Sequence, residues 1–243
     1  MALLGMIQKV TARIGISTPT NVIGNSDSQV AQLLALAQEE GEDLRARFQW
    51  SALVRNNTFT ITLAASQGAL NGTVISDGDY DYITDQTMWN RTTSLPIIGP
   101  LNSRSYQTLQ AFPVTGPYQQ WMLRGKNLIL DPVPTSADTA AFGYYSTSFC
   151  ESSGGTAQQA WAADTDEGLL NESLMTLGIR WRWLKAKGLE YAEDFATYER
   201  RVTDAMARDG GNETLSLESR DRDIVKRALL FQLQVMARET ACI

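Results

Sequence analysis

The sequence predicts an α+β protein: a helical bundle, built from N-terminal helices and a long helix hairpin in the C-terminal half, with a small β-rich domain inserted between them. Two observations predict it. Apolar residues recur at helical spacing near both ends of the 243-residue chain, whereas the stretch from about 50 to 150 alternates, is rich in β-branched residues and is punctuated by glycine and proline. The organisation expected is therefore N-terminal bundle helices over 1–49, a β-rich domain over 50–150, a helix hairpin over 151–211 and a C-terminal extension over 212–243.

In the first helix, Leu3, Met6, Ile7, Val10 and Ile14 share one face and Gly15 supplies a stop. "TPTNVIGNSDS" reads as a turn. Ser26 and Gln29 suit a capping box for a second helix, whose stripe holds Val30, Leu33, Leu34, Ala37, Leu44 and Phe48. Gly41 falls on that stripe and marks close approach of another element.

In the middle, "ALVRNNTFTITL" reads as a strand, and "YQQWMLRGKNLILDPVP" as two strands turning near Gly125 and ending at Pro132. "TAAFGYYSTSF" is a further strand, "NSRSYQTLQAF" a short helix and "CESSGGTAQQA" a polar loop. Asp164 with Glu167 is expected to cap a long helix from about 165 to 187, closed by Gly188. A partner helix from about 190 to 208 carries Tyr191, Phe195, Tyr198, Val202 and Ala205 on one face, and Gly210 and Gly211 end it. "RDIVKRALLFQLQVMARE" then gives an amphipathic segment with Arg222, Lys226, Arg227 and Arg238 opposite its apolar stripe. That stripe fits the protein's own core or a partner's groove.

"RWRWLKAKG" mixes four cations with two tryptophans, a composition that suits nucleic-acid or membrane-surface binding. At 100° per residue the patch comes apart. Trp181 aligns with Leu170, Leu174, Leu177 and Leu184, while Trp183 points almost oppositely with Ile179 and near Met175. Stacking platforms need aromatic and basic groups on the same exposed face. This helix instead has two apolar faces with charged borders. Burying a tryptophan removes roughly 150–250 Å² from water, so the Trp183 face is expected to meet either a fold partner or a neighbouring subunit. Met175, Ile179 and Trp183, with Ile224, Ala228, Leu229, Phe231, Val235 and Met236 of the terminal segment, are the candidate interface residues.

Composition narrows function. The net charge of −6 disfavours sequence-independent binding to phosphate. With no histidine in the chain, Ser-His-Asp and Cys-His chemistry and histidine-ligated metals are excluded. Cys150 and Cys242 lack the spacing of a zinc site or disulfide framework and read as reduced thiols. No run approaches about 18 apolar residues, and "MALLGMIQKVTARIGI" lacks the basic start of a secretory signal. "DGDYDYITD" fails as a calcium loop, because Tyr82 and Met88 stand where glycine and glutamate are needed. Adjacent carboxylates such as Glu39 and Glu40 point apart on a helix, and Asp164 with Asp166 belongs to the expected cap, so neither makes a catalytic pair. No phosphate-binding glycine loop is present. No catalytic, cofactor or metal residue is assigned.

One resemblance organises these blocks. "QLLALAQEEGEDLRARFQWSAL" resembles the early helix of the head-to-tail adaptor (connector) proteins of tailed bacteriophages and prophages, especially short-tailed ones, with its EEG-x-x-L-x-x-x-x-x-W run into a β region. "DYDYITDQTMWNRTTSLPIIGPLNSRSYQTLQA", "LRGKNLILDPVP", "DTAAFGYYS", "AWAADTDEGLL" and "LGIRWRWLKAKGLEYAEDFATYERRVTDAMARDGG" resemble later family blocks in the same order, from about residue 28 to 211. The loop at about 66–78 and the tail beyond 212 are less family-like. The resemblance implies a structural virion protein with no enzyme activity and no cofactor, made in the bacterial cytoplasm and placed at the head–tail interface. It implies a self-assembled ring, typically dodecameric, that docks on the portal protein, extends the DNA channel and receives nozzle or tail-tube proteins. DNA would pass without specific binding, no membrane would be involved, and the C-terminal extension often grips the portal. The rival readings are a virion-associated cell-wall or polysaccharide hydrolase and a DNA-packaging or DNA-binding factor.

Overall fold

The computed structural model describes residues 2–112, 116 and 118–209. In chain order the elements are α1 (Leu3–Ile14), α2 (Ser28–Arg47), β1 (Val54–Thr60), β2 (Ser66–Ala69), β3 (Tyr80–Ile83), β4 (Trp89–Asn90), β5 (Leu95–Pro96), α3 (Ser103–Ala111), β6 (Gln120–Arg124), β7 (Asn127–Asp131), β8 (Thr139–Ser146), β9 (Cys150–Glu151), β10 (Ala157–Gln158), β11 (Glu167–Gly168), α4 (Glu172–Ala186) and α5 (Ala192–Asp209).

The expected helical bundle with a small β insert is not what these residues form. Among the described residues five α-helices and eleven strands in three antiparallel sheets make a mixed α+β fold. The physical reason lies in residues 150–168, expected to be a polar loop running into a helix. They form instead a three-stranded sheet in the order β10-β9-β11. That sheet is tied to the start of α1 by Leu3 N–H donating to the Asp166 carbonyl at 2.8 Å and by an antiparallel bridge between Ala2 and Glu167. Phe149, Cys150 and Trp161 therefore enter the same buried cluster as Leu3, Ile7, Leu33, Leu44, Ile179 and Tyr198. The helices pack on one another through α4 and share that core with sheet and loop residues.

Helix ends also differ from the spacing-based expectation. Asn171, not Asp164, caps α4: its Oδ1 accepts from the N–H groups of Ser173 and Leu174. Asp164 instead accepts from the N–H groups of Val22 and Ile23, holding the α1–α2 turn, and buried Asp166 accepts from those of Ala162 and Ala163. Carboxylates in a turn compete for whichever amides are nearest: Asp164 takes tertiary ones and Asp166 local ones. Asp27 rather than Ser26 caps α2, accepting from Gln29 N–H at 2.8 Å.

The region from 50 to 150 has its own core. β8 is the hub of a five-stranded sheet, with β1 along one edge and β4 and β3 on the other. Its residues are buried almost without interruption, as a central strand covered on both faces requires. Phe142, Tyr144, Trp121, Leu128 and Leu130 fill this second cluster, joining the sheet of β2, β7 and β6 to that of β8. The expected strands around Gly125 form the β6–β7 hairpin. Two of the DGDYDY aspartates are engaged by side chains distant in sequence. Asp79 is buried and accepts from the Tyr144 and Ser146 hydroxyls at 2.8 and 2.5 Å, and Asp81 pairs with Arg45 at 3.2 Å.

Candidate functional site

α4 lies in contact with α1, α2 and α5. Its two apolar faces are therefore both covered within the chain. Met175 and Ile179 are fully buried and Trp183 is 3% exposed, in the same cluster as Trp181 at 6%. Of the two partners open to the Trp183 face, the fold supplies one, so these three candidate interface residues are core residues. The other candidates, Ile224, Ala228, Leu229, Phe231, Val235 and Met236, lie outside the described residues.

The most organised polar constellation is built where α2, α4 and α5 meet. On α2 the residues at 30, 33, 37, 40 and 44 follow three-four spacing, the seam that faces a partner helix. Position 40 of that seam is a glutamate, fully buried. Gly178 on α4 makes room for it, since a Cβ there would overlap the Glu40 carboxylate. One oxygen of Glu40 accepts from Arg182 Nε at 2.8 Å, and the other from the Tyr198 hydroxyl at 2.7 Å. The rest of the Arg182 fork spans to Glu39 through Nη1 at 2.9 Å and to Asp43 through Nη2 at 2.7 Å. Arg47 extends the network from Asp43 at 3.2 Å to Glu199 on α5 at 2.6 Å. The Arg182 guanidinium also lies 4.6 Å from the centre of the Trp181 ring. The Glu40 carboxylate of α2 thus ties three helices together, one oxygen held by Arg182 of α4 and the other by Tyr198 of α5, so both are satisfied as a buried charge demands.

Burial is the largest influence on Glu40 and pushes its carboxyl up to about 7, against the pull of Tyr198 and Arg182. Burial and the neighbouring Glu40 charge raise the Tyr198 phenol. Because the Glu40 carboxyl lies higher in the folded chain than its ordinary 4.5, the folded state holds the proton more tightly. Its stabilising contribution is complete below about pH 4.5 and is lost as pH rises through about 7. At about 1.4 kcal/mol per pH unit, that span is worth about 3 kcal/mol. Glu40→Gln is therefore expected to flatten the curve. Urea unfolding should show the wild-type-minus-variant difference moving by about 3 kcal/mol between pH 4.5 and 8. A difference that is constant with pH would mean that folding does not raise the Glu40 carboxyl.

The adjacent Glu39 is bound by the same Arg182, yet its side chain is 59% exposed. The two carboxylates differ in burial, not in chemistry directed at a common point, and the enclosed one is held on both oxygens. The arrangement clamps helices; it does not present an acid to a substrate. Cys150 likewise is a packing residue, buried and with its thiol pushed up to about 12 by that burial. The sequence places Arg182 at a helix border, Glu40 in an adjacent carboxylate pair and Tyr198 on an apolar face, and nothing in it joins the three. The signal was a glutamate on an apolar seam, followed by a glycine whose added Cβ would overlap the Phe149 ring. No protein-family model matches the chain, and no curated protein matches it either.

Proposed function

We propose that this chain is a structural subunit of a tailed-phage particle, a head-to-tail adaptor that assembles as a ring on the portal, continues the DNA channel and seats tail components. The reading rests on one observation. Two of the blocks that resemble the adaptor family, residues 32–53 and 177–211, are joined through the polar residues Glu40, Arg182 and Tyr198. Residues within the resembling blocks are here used to hold helices in register, the role expected of a scaffold subunit. A second feature agrees with it. Leu189, Tyr191 and Phe195 stand 54%, 37% and 37% exposed at the α4–α5 turn, and the Tyr191 and Phe195 rings pack against that of Trp181. Contiguous exposed apolar side chains of this kind suit assembly.

The test is to mix the purified chain with its cognate portal and look for a ring on the portal by electron microscopy. The expected result is a ring in register with the portal's symmetry. A portal that stays bare sinks the adaptor reading. Cell-wall lysis by the purified chain, or retardation of duplex DNA in a gel, would transfer the protein to the hydrolase or DNA-binding class.

A further inference from the structure

A cleft of about 560 Å³ opens where Lys9 and Arg13 of α1 approach Arg201 of α5 across the first turn of α4. Among the described residues its walls carry three cations and one carboxylate, Glu172, which leaves two positive charges unmatched among them on a chain of net charge −6. Lys9 is the cation already engaged, at 2.6 Å from Glu172. Arg13 and Arg201 are both exposed, and neither has an ion-pair partner among the described residues. Arg13 in the last turn of α1 complements that helix's dipole, but this does not account for Arg201, mid-helix on α5. The amides of Ser173 and Leu174 at the start of α4 are taken by Asn171, so the cleft's field comes from its side chains.

We propose that this cleft is a subunit contact: Arg13 and Arg201 receive carboxylates of a second copy of the chain. The guanidinium fork is shaped for a carboxylate or phosphate oxyanion. Among the described residues no aromatic ring lines the cleft, so none of them stacks a base there, and Leu177 is the one apolar aliphatic side chain they contribute. A second copy supplies the matching charge. Apart from the two unmatched cations, the remainder of each chain carries a formal −6 − 2 = −8. A closed ring of identical subunits needs two different, complementary patches on each copy, and a cation-lined cleft against an acidic surface meets that need. Unmatched arginines facing the DNA channel would instead hold the passing phosphates.

The inference rests on the ring-forming reading above and is tested separately from it. The full chain is compared with Arg13→Glu/Arg201→Glu and with Arg13→Lys/Arg201→Lys. Ring formation on the cognate portal is followed by electron microscopy, and self-association in solution by sedimentation at about 50 and 500 mM salt. Circular dichroism verifies that the exposed substitutions leave the fold intact. The glutamate pair should weaken assembly at least tenfold, the lysine pair much less, and high salt should weaken the wild type. A glutamate pair that assembles like wild type overturns the cleft contact and leaves the adaptor reading standing. A wild-type chain that never joins the portal overturns both. Retardation of a short DNA duplex by wild type but not by the glutamate pair, with assembly unchanged, also overturns the contact and assigns the cleft to phosphate.

Discussion

Replacing Arg182 with methionine lowers the stability of the folded chain by about 3–5 kcal/mol at pH 8, because it leaves Glu40 ionised, buried and without its cation. The Tyr198 hydroxyl alone then faces that charge at 2.7 Å, and Glu39 and Asp43 lose the group that bridges them. Lowering the pH relieves the penalty, since Glu40 can take up a proton at modest cost when its carboxyl already lies at about 7. The expected loss at pH 5 is therefore smaller than at pH 8. Glu40→Met in the Arg182→Met background should recover much of the loss, because removing both charges leaves no buried ion unpaired. Urea unfolding of the two single variants and the double variant at both pH values measures the coupling. If Arg182→Met costs the same at pH 5 and pH 8, the loss comes from packing on Trp181 rather than from the buried charge.

The clamp shows what the sequence could and could not reveal. Periodicity located α1, α2 and α5 and the β6–β7 hairpin, because each has an apolar face or strand pair bounded by a strong stop. It failed at residues 150–168, whose strands are only two residues long. Such strands carry no alternation, and they exist because Leu3 and Asp166 meet across the chain. With the two sheets of residues 54–146 they make the fold mixed rather than a bundle.

The site was half-legible. Position 40 sits on a three-four seam, so a glutamate there signals a buried charge in need of a partner. Nothing local identifies that partner. Arg182 lies 142 residues away and Tyr198 lies 158 away. Arg182 also occupies the edge between two apolar faces, where a solvated cation is the ordinary expectation. What the wheel could not decide was whether α4's second face looks outward to a neighbour or inward to α1 and α2. A helix with both faces apolar fits either case, and only the tertiary arrangement chooses.

That choice makes the two tryptophans equivalent in kind. Trp183→Ala is expected to destabilise the isolated chain by about 3–5 kcal/mol, as is Trp181→Ala, since each removes a large buried ring from a packed core. The charged neighbours belong to the same packing. The Lys187 ammonium lies 4.4 Å from the centre of the Trp183 ring, and Lys185 lies 5.6 Å from that of Trp181. Such contacts add about 0.5–1 kcal/mol at partly exposed sites. Trp181 also packs edge-on against Phe195 at 4.9 Å. Trp183→Phe should therefore retain more stability than Trp183→Ala, because it keeps a ring on the same face. Thermal and urea unfolding of the purified variants, read without any partner present, gives the answer. A Trp183→Ala chain as stable as wild type would return that face to the surface, and with it the case for a subunit contact through α4.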